Sequence, residues 1–159
     1  MAITETDLIH MTRAVELARE ALDDGDEPYG SDLVDAAGRV RFEDRNRVKD
    51  GDQTRHPEFE IARWSANHLT PDERAASTVY TSGEHCPMCS AAHAWVGLGR
   101  IVYVTSSEQT GEWLAGWGVP AAPVAALPIN AVAPGILVEG PVPGLEDEVR
   151  ELQRRRFGA

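Results

Sequence analysis

Cysteine is scarce in this 159-residue sequence: there are two, Cys86 and Cys89, three positions apart. Two cysteines cannot build a disulfide framework, and a C-x-x-C in a cytosolic chain reads as either metal-binding or redox. Long apolar runs are missing as well, and nothing approaches the roughly 20 residues of a membrane span. The opening MAITETDLIHMTRAVE carries acids where a signal peptide needs a basic region and an apolar core. The expectation is a soluble cytoplasmic protein with no membrane partner. Basic residues are few, 15 Lys and Arg against 26 Asp and Glu, for a formal net charge of −11. That charge repels polyphosphates at long range and argues against a nucleic-acid partner. The one basic cluster, Arg154, Arg155 and Arg156, ends a predicted helix whose first turn holds Glu146, Asp147 and Glu148. Helix dipoles favour that charge order, so the cluster reads as a surface helix end.

What is present suffices for one domain over residues 1–159, able to bury roughly two-thirds of its unfolded surface. Leu8, Met11, Val15, Ala18 and Leu22 recur at helical spacing, with Thr4 and Asp7 as a cap pair. Tyr29 to Val34 and Arg39 to Phe42 read as two short strands, followed by a polar stretch from Glu43 to Arg55. A helix opens at His56-Pro57-Glu58 and runs to about His68. Ser77 to Thr81 reads as a strand, and Cys86-Pro87 opens a second helix through Trp95. Another strand covers Arg100 to Thr105, and a short helix Glu108 to Trp117. The segment 121–143, rich in Pro and Ala, holds at most one strand, Gly135 to Glu139. Leu145, Val149 and Leu152 mark a C-terminal helix. A strand pair followed by βα alternation predicts an α/β/α layered domain with a mixed sheet.

Both middle helices begin with a ligand-type side chain followed by proline, a residue well tolerated at the first helical position. In open α/β sheets such helix tips gather where ligands bind, and a helix N-terminus favours thiolate over thiol. His56, Cys86 and Cys89 together offer one nitrogen and two sulfurs. That set suits Zn²⁺ and leaves one tetrahedral position open, the catalytic rather than the structural pattern. Bound zinc lowers the pKa of water to about 7. Glu58, two residues after His56, is placed to move protons beside that water without binding the metal.

A spaced H-x-E with P-C-x-x-C is the signature of zinc deaminases. Here it stands as His56-Pro57-Glu58 and His85-Cys86-Pro87-Met88-Cys89. With Pro28-Tyr29-Gly30, Asn46-Arg47-Val48 and Arg100-Ile101-Val102-Tyr103, the chain resembles the cytidine and nucleobase deaminase superfamily over about half its length. It looks most like the short bacterial guanine and cytosine deaminases, and tRNA adenosine deaminases share most of the same marks. The resemblance implies a five-stranded sheet, one zinc per subunit on His56, Cys86 and Cys89, proton transfer by Glu58, and a homodimer. It also implies that Asn46 hydrogen-bonds the base and that Tyr29 and Trp95 line the pocket. Pro57 replaces the family's usual alanine and His85 its usual proline, both expected beside the substrate. Guanine deaminases draw a further acid from a later region, where Glu108 and Glu112 are the candidates here.

The leading expectation is hydrolytic deamination of a free base (guanine, cytosine, isocytosine or an aminotriazine). Editing of adenosine in tRNA is the second and would need an extended basic surface. A structural-zinc or redox module is the third, and it would be indifferent to Glu58→Ala.

Overall fold

The computed structural model describes residues 2–158. Helix α1 (Glu5–Asp23) starts at a reciprocal capping box. Thr4 Oγ1 accepts the Asp7 N–H at 3.1 Å, and the Asp7 carboxylate accepts the Thr4 N–H at 2.8 Å. The sheet then builds from β1 (Gly30–Val34), β2 (Val40–Arg45), β3 (Thr78–Gly83), β4 (Arg100–Thr105) and β5 (Val138–Glu139). Between and after these lie α2 (Pro57–His68), α3 (Pro71–Ala75), α4 (Pro87–Trp95), α5 (Ser107–Gly116), α6 (Ile129–Val132) and α7 (Glu146–Phe157).

The strand order is β2-β1-β3-β4-β5. β1 is antiparallel to both β2 and β3, whereas β3, β4 and β5 run parallel. This is the five-stranded mixed α/β sheet expected. β1 and β2 are joined by a tight turn, the chain returns from β2 to β3 through α2 and α3, and the parallel neighbours β3 and β4 require a crossover, which α4 supplies. One face packs Val34, Val102 and Val104 against Met11 and Val15 of α1 and Val149 and Leu152 of α7. The opposite face packs Leu33 and Val79 against Ile61 and Ala62 of α2 and Leu98. All five residues of β1 are buried, as befits a strand covered on both faces.

Gly30 shows how tightly α1 lies on the sheet. A Cβ at that position would stand 2.4 Å from the Ala14 carbonyl oxygen and 2.5 Å from the Ala18 nitrogen. Only glycine admits that approach.

Several boundaries differ from the sequence reading, each for a physical reason. In α1 the apolar Leu8 is 40% exposed while Asp7 and His10 are buried. Polar partners beneath the helix, Tyr80 and Arg100 for Asp7 and Asp32 for His10, override the hydrophobic period there. β2 extends to Arg45 through a polar run because its residues pair with the buried β1. Helix α3 was absent from the periodicity, since none of its residues is buried. It is held by a local capping box between Thr70 and Glu73. Helix α6 condenses inside the Pro/Ala-rich segment, where Ile129 reaches the core beside Ile101 and Tyr103. Two of the three arginines that end α7 are ion-paired, Arg154 with Glu151 at 2.7 Å and Arg155 with Asp23 of α1 at 3.7 Å. No helix among the described residues is long and apolar enough to cross a membrane.

Candidate metal centre and active site

The N-termini of α2 and α4 meet at one point. His56 is the N-cap of α2 and Cys86 that of α4, each in extended backbone with proline following at the first helical position. Those extended conformations turn the two side chains inward along the helix starts, and Cys89 follows one turn into α4. His56 Nδ1 lies 3.5 Å from Cys86 Sγ and 3.6 Å from Cys89 Sγ. All three donor atoms lie within 4.8 Å of one another. A tetrahedral zinc with bonds of about 2.3 Å to sulfur and 2.0–2.1 Å to nitrogen separates N and S by about 3.6 Å. The donor set and its spacing therefore fit zinc, with a fourth position left over.

The three groups share protons. Cys86 is pulled down to about 4, chiefly by its hydrogen bond with Cys89, with His56 adding to the effect. Cys89 is pushed up in return, and His56 is held up to about 9 by the Cys86 sulfur. A bound dication displaces such protons, because it takes thiolate and neutral imidazole.

Glu58, in the first turn of α2, points back onto the sheet and is only 6% exposed. Its Oε1 lies 2.9 Å from Thr81 Oγ1 and 3.2 Å from Ser31 Oγ. Ser31 and Thr81 are cross-strand partners in the β1–β3 register, so the sheet itself sets this anchor. Among the described residues Oε2 takes no hydrogen bond from another residue. Burial pushes the Glu58 carboxyl above the usual carboxylate range, and the nearby His56 charge partly offsets that. A carboxylate fixed through one oxygen and free at the other is suited to carrying a proton back and forth.

Asn46 is buried just beyond β2 and its orientation is determined by its own loop. Its Oδ1 accepts the Val48 N–H at 3.1 Å, so the amide nitrogen is the end left for another partner. The Asn46 N–H bonds the Tyr29 carbonyl at 3.0 Å, which fixes the two residues side by side. The Tyr29 ring closes over Gly83, where a Cβ would come within 3.2 Å of it. Burial, first, and the neighbouring Glu27 and Glu58 charges hold the Tyr29 hydroxyl in its neutral form.

The structure thus brings together His56, Cys86, Cys89 and Glu58, with Pro57 on the helix turn between His56 and Glu58, Tyr29 close by over Gly83, and Asn46 beside Tyr29. Two expected residues stand elsewhere. Trp95 is 88% exposed at the far end of α4, nine residues beyond Cys86 and so about 13 Å along the axis. His85 does not open to the site. It is fully buried edge-on to His93, ring centres 5.4 Å apart, because the turn into α4 directs it under that helix. Glu108 and Glu112 lie on exposed positions of α5. Sequence reasoning missed Ser31 and Thr81, whose role depends on strand register. It also missed Glu84, whose carboxylate ties the Ser107 and Ile129 N–H groups, at 2.9 Å each, and so joins α5 to α6.

Three protein donors with a fourth position left over have the form of a zinc site with an exchangeable position, set here at helix N-termini on an α/β sheet. The chain belongs to the cytidine and deoxycytidylate deaminase family, whose zinc-binding region matches residues 4–105. A probable cytosine deaminase of Schizosaccharomyces pombe is 35% identical over 107 residues, which cover 67% of this chain and 65% of that protein. A tRNA-specific adenosine deaminase of Haemophilus influenzae is 33% identical over 109 residues, covering 68% and 63% respectively. The chain therefore spans less than two thirds of the length of these curated relatives. The guanine deaminase from Nitrosomonas europaea superposes over 99% of this chain and 86% of its own, with a TM-score of 0.72 at 21% identity. That likeness speaks for the fold.

Proposed function

We propose that this protein hydrolytically deaminates a free amino-bearing nucleobase or close ring analogue, of the guanine, cytosine, isocytosine or aminotriazine type. The observation that carries this reading is Glu58, buried beside the three zinc donors with one oxygen anchored and the other free. Zinc, when bound at His56, Cys86 and Cys89, supplies a Lewis acid that makes water nucleophilic at neutral pH. Glu58 takes a proton from the attacking water and delivers it to the ring nitrogen next to the amino-bearing carbon. The C–O bond forms, and Glu58 then passes the second proton to the amine. The C–N bond breaks, and ammonia and the oxo-base leave. Thr81 and Ser31 hold the carboxylate in line during both transfers, and the Asn46 amide donates to a carbonyl or ring nitrogen of the base. Pro57 roofs this end of α2 and offers no N–H of its own to the substrate.

Ammonia release from a panel of amino-purines and amino-pyrimidines by zinc-loaded protein tests the reading. Silence across the panel, with zinc confirmed by elemental analysis, overturns it.

The likeness to a tRNA-specific adenosine deaminase supports a second reading, adenosine editing in tRNA. The net charge of −11 and the ion pairing of Arg154 and Arg155 weigh against it. Salt-sensitive tRNA binding near micromolar together with inosine formation would reverse the order. One domain, a homodimer and a cytoplasmic location complete the proposal. Sedimentation of a 17.3 kDa species alone removes the dimer.

A further inference from the structure

Only Glu84 and His85 separate the end of β3 from Cys86. The Glu84 N–H bonds the carbonyl of Thr105, the last residue of β4, at 2.8 Å. Its carboxylate uses both oxygens: Oε1 accepts the Ser107 N–H and Oε2 the Ile129 N–H, each at 2.9 Å. Those donors are the first residues of α5 and α6, where a helix leaves its N–H groups without internal partners. One half-buried side chain therefore holds two helix starts at once.

His85 adds no such tie. Among the described residues both its ring nitrogens are buried without a partner, and its carbonyl is met at 3.4 Å by Ser90 of α4 itself. The side chain that fastens this link to the body of the protein is that of Glu84. Two residues reach at most about 7 Å, so a shift at Glu84 passes to Cys86 with little slack. A zinc site accepts departures of only about 0.2 Å in its bond lengths. Helices α5 and α6 also lie beyond residues 4–105, the part of the chain that matches the zinc-binding region.

We propose that Glu84 is a positioning residue for the metal centre, one that passes the seating of α5 and α6 on to Cys86 and so sets its sulfur at zinc-binding distance from His56. The role goes beyond the nucleobase reading, because it concerns the metal and holds whichever substrate is turned over. Glu84→Gln keeps the size of the side chain but turns an NH2 group onto one of the two backbone donors. That donor loses its acceptor, and one helix start lets go of the link.

The test measures zinc affinity in folded wild-type, Glu84→Gln and Glu84→Ala protein by competition with a chromophoric chelator. Co²⁺ is then loaded in place of zinc, since its visible bands report the geometry of its ligands. Arg100→Ala, which weakens the fold from the opposite face, is the control. Glu84→Gln is expected to weaken zinc binding about tenfold, and Glu84→Ala up to about a hundredfold. The cobalt bands should change in both, while Arg100→Ala keeps wild-type affinity and spectrum. Wild-type affinity and bands in Glu84→Gln would reduce Glu84 to a brace between α5 and α6. An equal loss in Arg100→Ala would assign the effect to general stability. Either result overturns the role. Should the Glu84 variants not fold, the wild-type protein still decides. Coupling is reciprocal, so added zinc should slow hydrogen exchange at the Ser107 and Ile129 amides more than at the Asp7 amide, a helix-start N–H on the far face. Equal slowing at all three overturns the role and leaves the metal centre standing. Wild-type protein that takes up no zinc overturns both.

Discussion

Two polar clusters, Asp7 with Tyr80 and Arg100 on one face of the sheet and the His56–Cys86–Cys89–Glu58 group on the other, are buried on opposite terms. Beneath α1, Asp7 accepts from Tyr80 at 2.6 Å and from Arg100 at 2.8 and 3.2 Å, while Arg100 also reaches Glu139 at 3.0 Å. Around Asp7 donors and acceptors consume one another, and Asp7 is held well below the usual carboxylate range, first of all by Arg100; Asp32, farther along the same face, is the exception, with neither carboxylate oxygen hydrogen-bonded among the described residues. Beneath α2 and α4 the pattern reverses. Among the described residues one Glu58 oxygen takes no hydrogen bond from another residue and the Asn46 amide nitrogen has no partner, while two sulfurs and an imidazole surround a metal-sized gap. A closed network stabilises and asks nothing of the solvent, whereas open valences held in place by neighbours mark where a ligand is expected.

The sharpest way to break this comparison is to remove a sulfur. Cys89→Ser is expected to lose both the zinc, read by elemental analysis, and all measurable turnover. Full activity with no metal would end the distinction between the faces. Next in size, Glu58→Gln should lower kcat by about 10²–10⁴ while zinc stays at one per chain. An unchanged rate would make Glu58 another structural acid, like Asp7.

On the closed face the effects should be on stability alone. Arg100→Ala leaves Asp7 buried without its cation and should cost about 3 kcal/mol in urea unfolding, with KM and kcat unaltered. A loss of activity at equal stability would show that the faces communicate.

A subtler contrast lies within the α1 face. Asp32 is fully buried 3.3 Å from His10, and burial pushes Asp32 up to about 8 and His10 down. The contact is therefore between neutral groups at pH 7. The folded state keeps the Asp32 proton where the unfolded chain has lost it. Stability should then fall as pH rises from about 4 to about 8, by at most about 1.4 kcal/mol per unit. Asp32→Asn should remove that slope, seen as the difference between the two proteins' unfolding curves. Asp7 acts in the opposite sense and in a lower window: its contribution is present above about pH 4 and is lost on further acidification. The smallest effect is expected from Trp95→Ala, under about 0.5 kcal/mol in stability and with unchanged kcat/KM. A drop in kcat/KM would instead place that tryptophan against a neighbouring subunit's substrate.

The elements that sequence reading located best are those whose signals are local. Proline after His56 and after Cys86 announces two helix starts, and the alternation of strand and helix between them indicates the layers. The Thr4–Asp7 box was legible because its two residues are three apart. Where partners are distant the reading faltered. Nothing near Leu8 says that Asp7 and His10 turn inward, since Tyr80, Arg100 and Asp32 are 22 to 93 residues away. Trp95 shows the same limit from the other side, for a position near the metal motif in sequence ends a helix length away in space.

The sequence by itself determined the donor set, the acid that accompanies it and the helix tips that carry them. Those choices are written in residue type and short spacing, where chain geometry allows little freedom. Tertiary structure alone decided that Ser31 and Thr81 grip Glu58 and that Asp7 and His10 are buried. Each depends on which strand lies beside which, and in what register. Pairing across the sheet is fixed by the burial of both faces at once, a condition that no single segment contains.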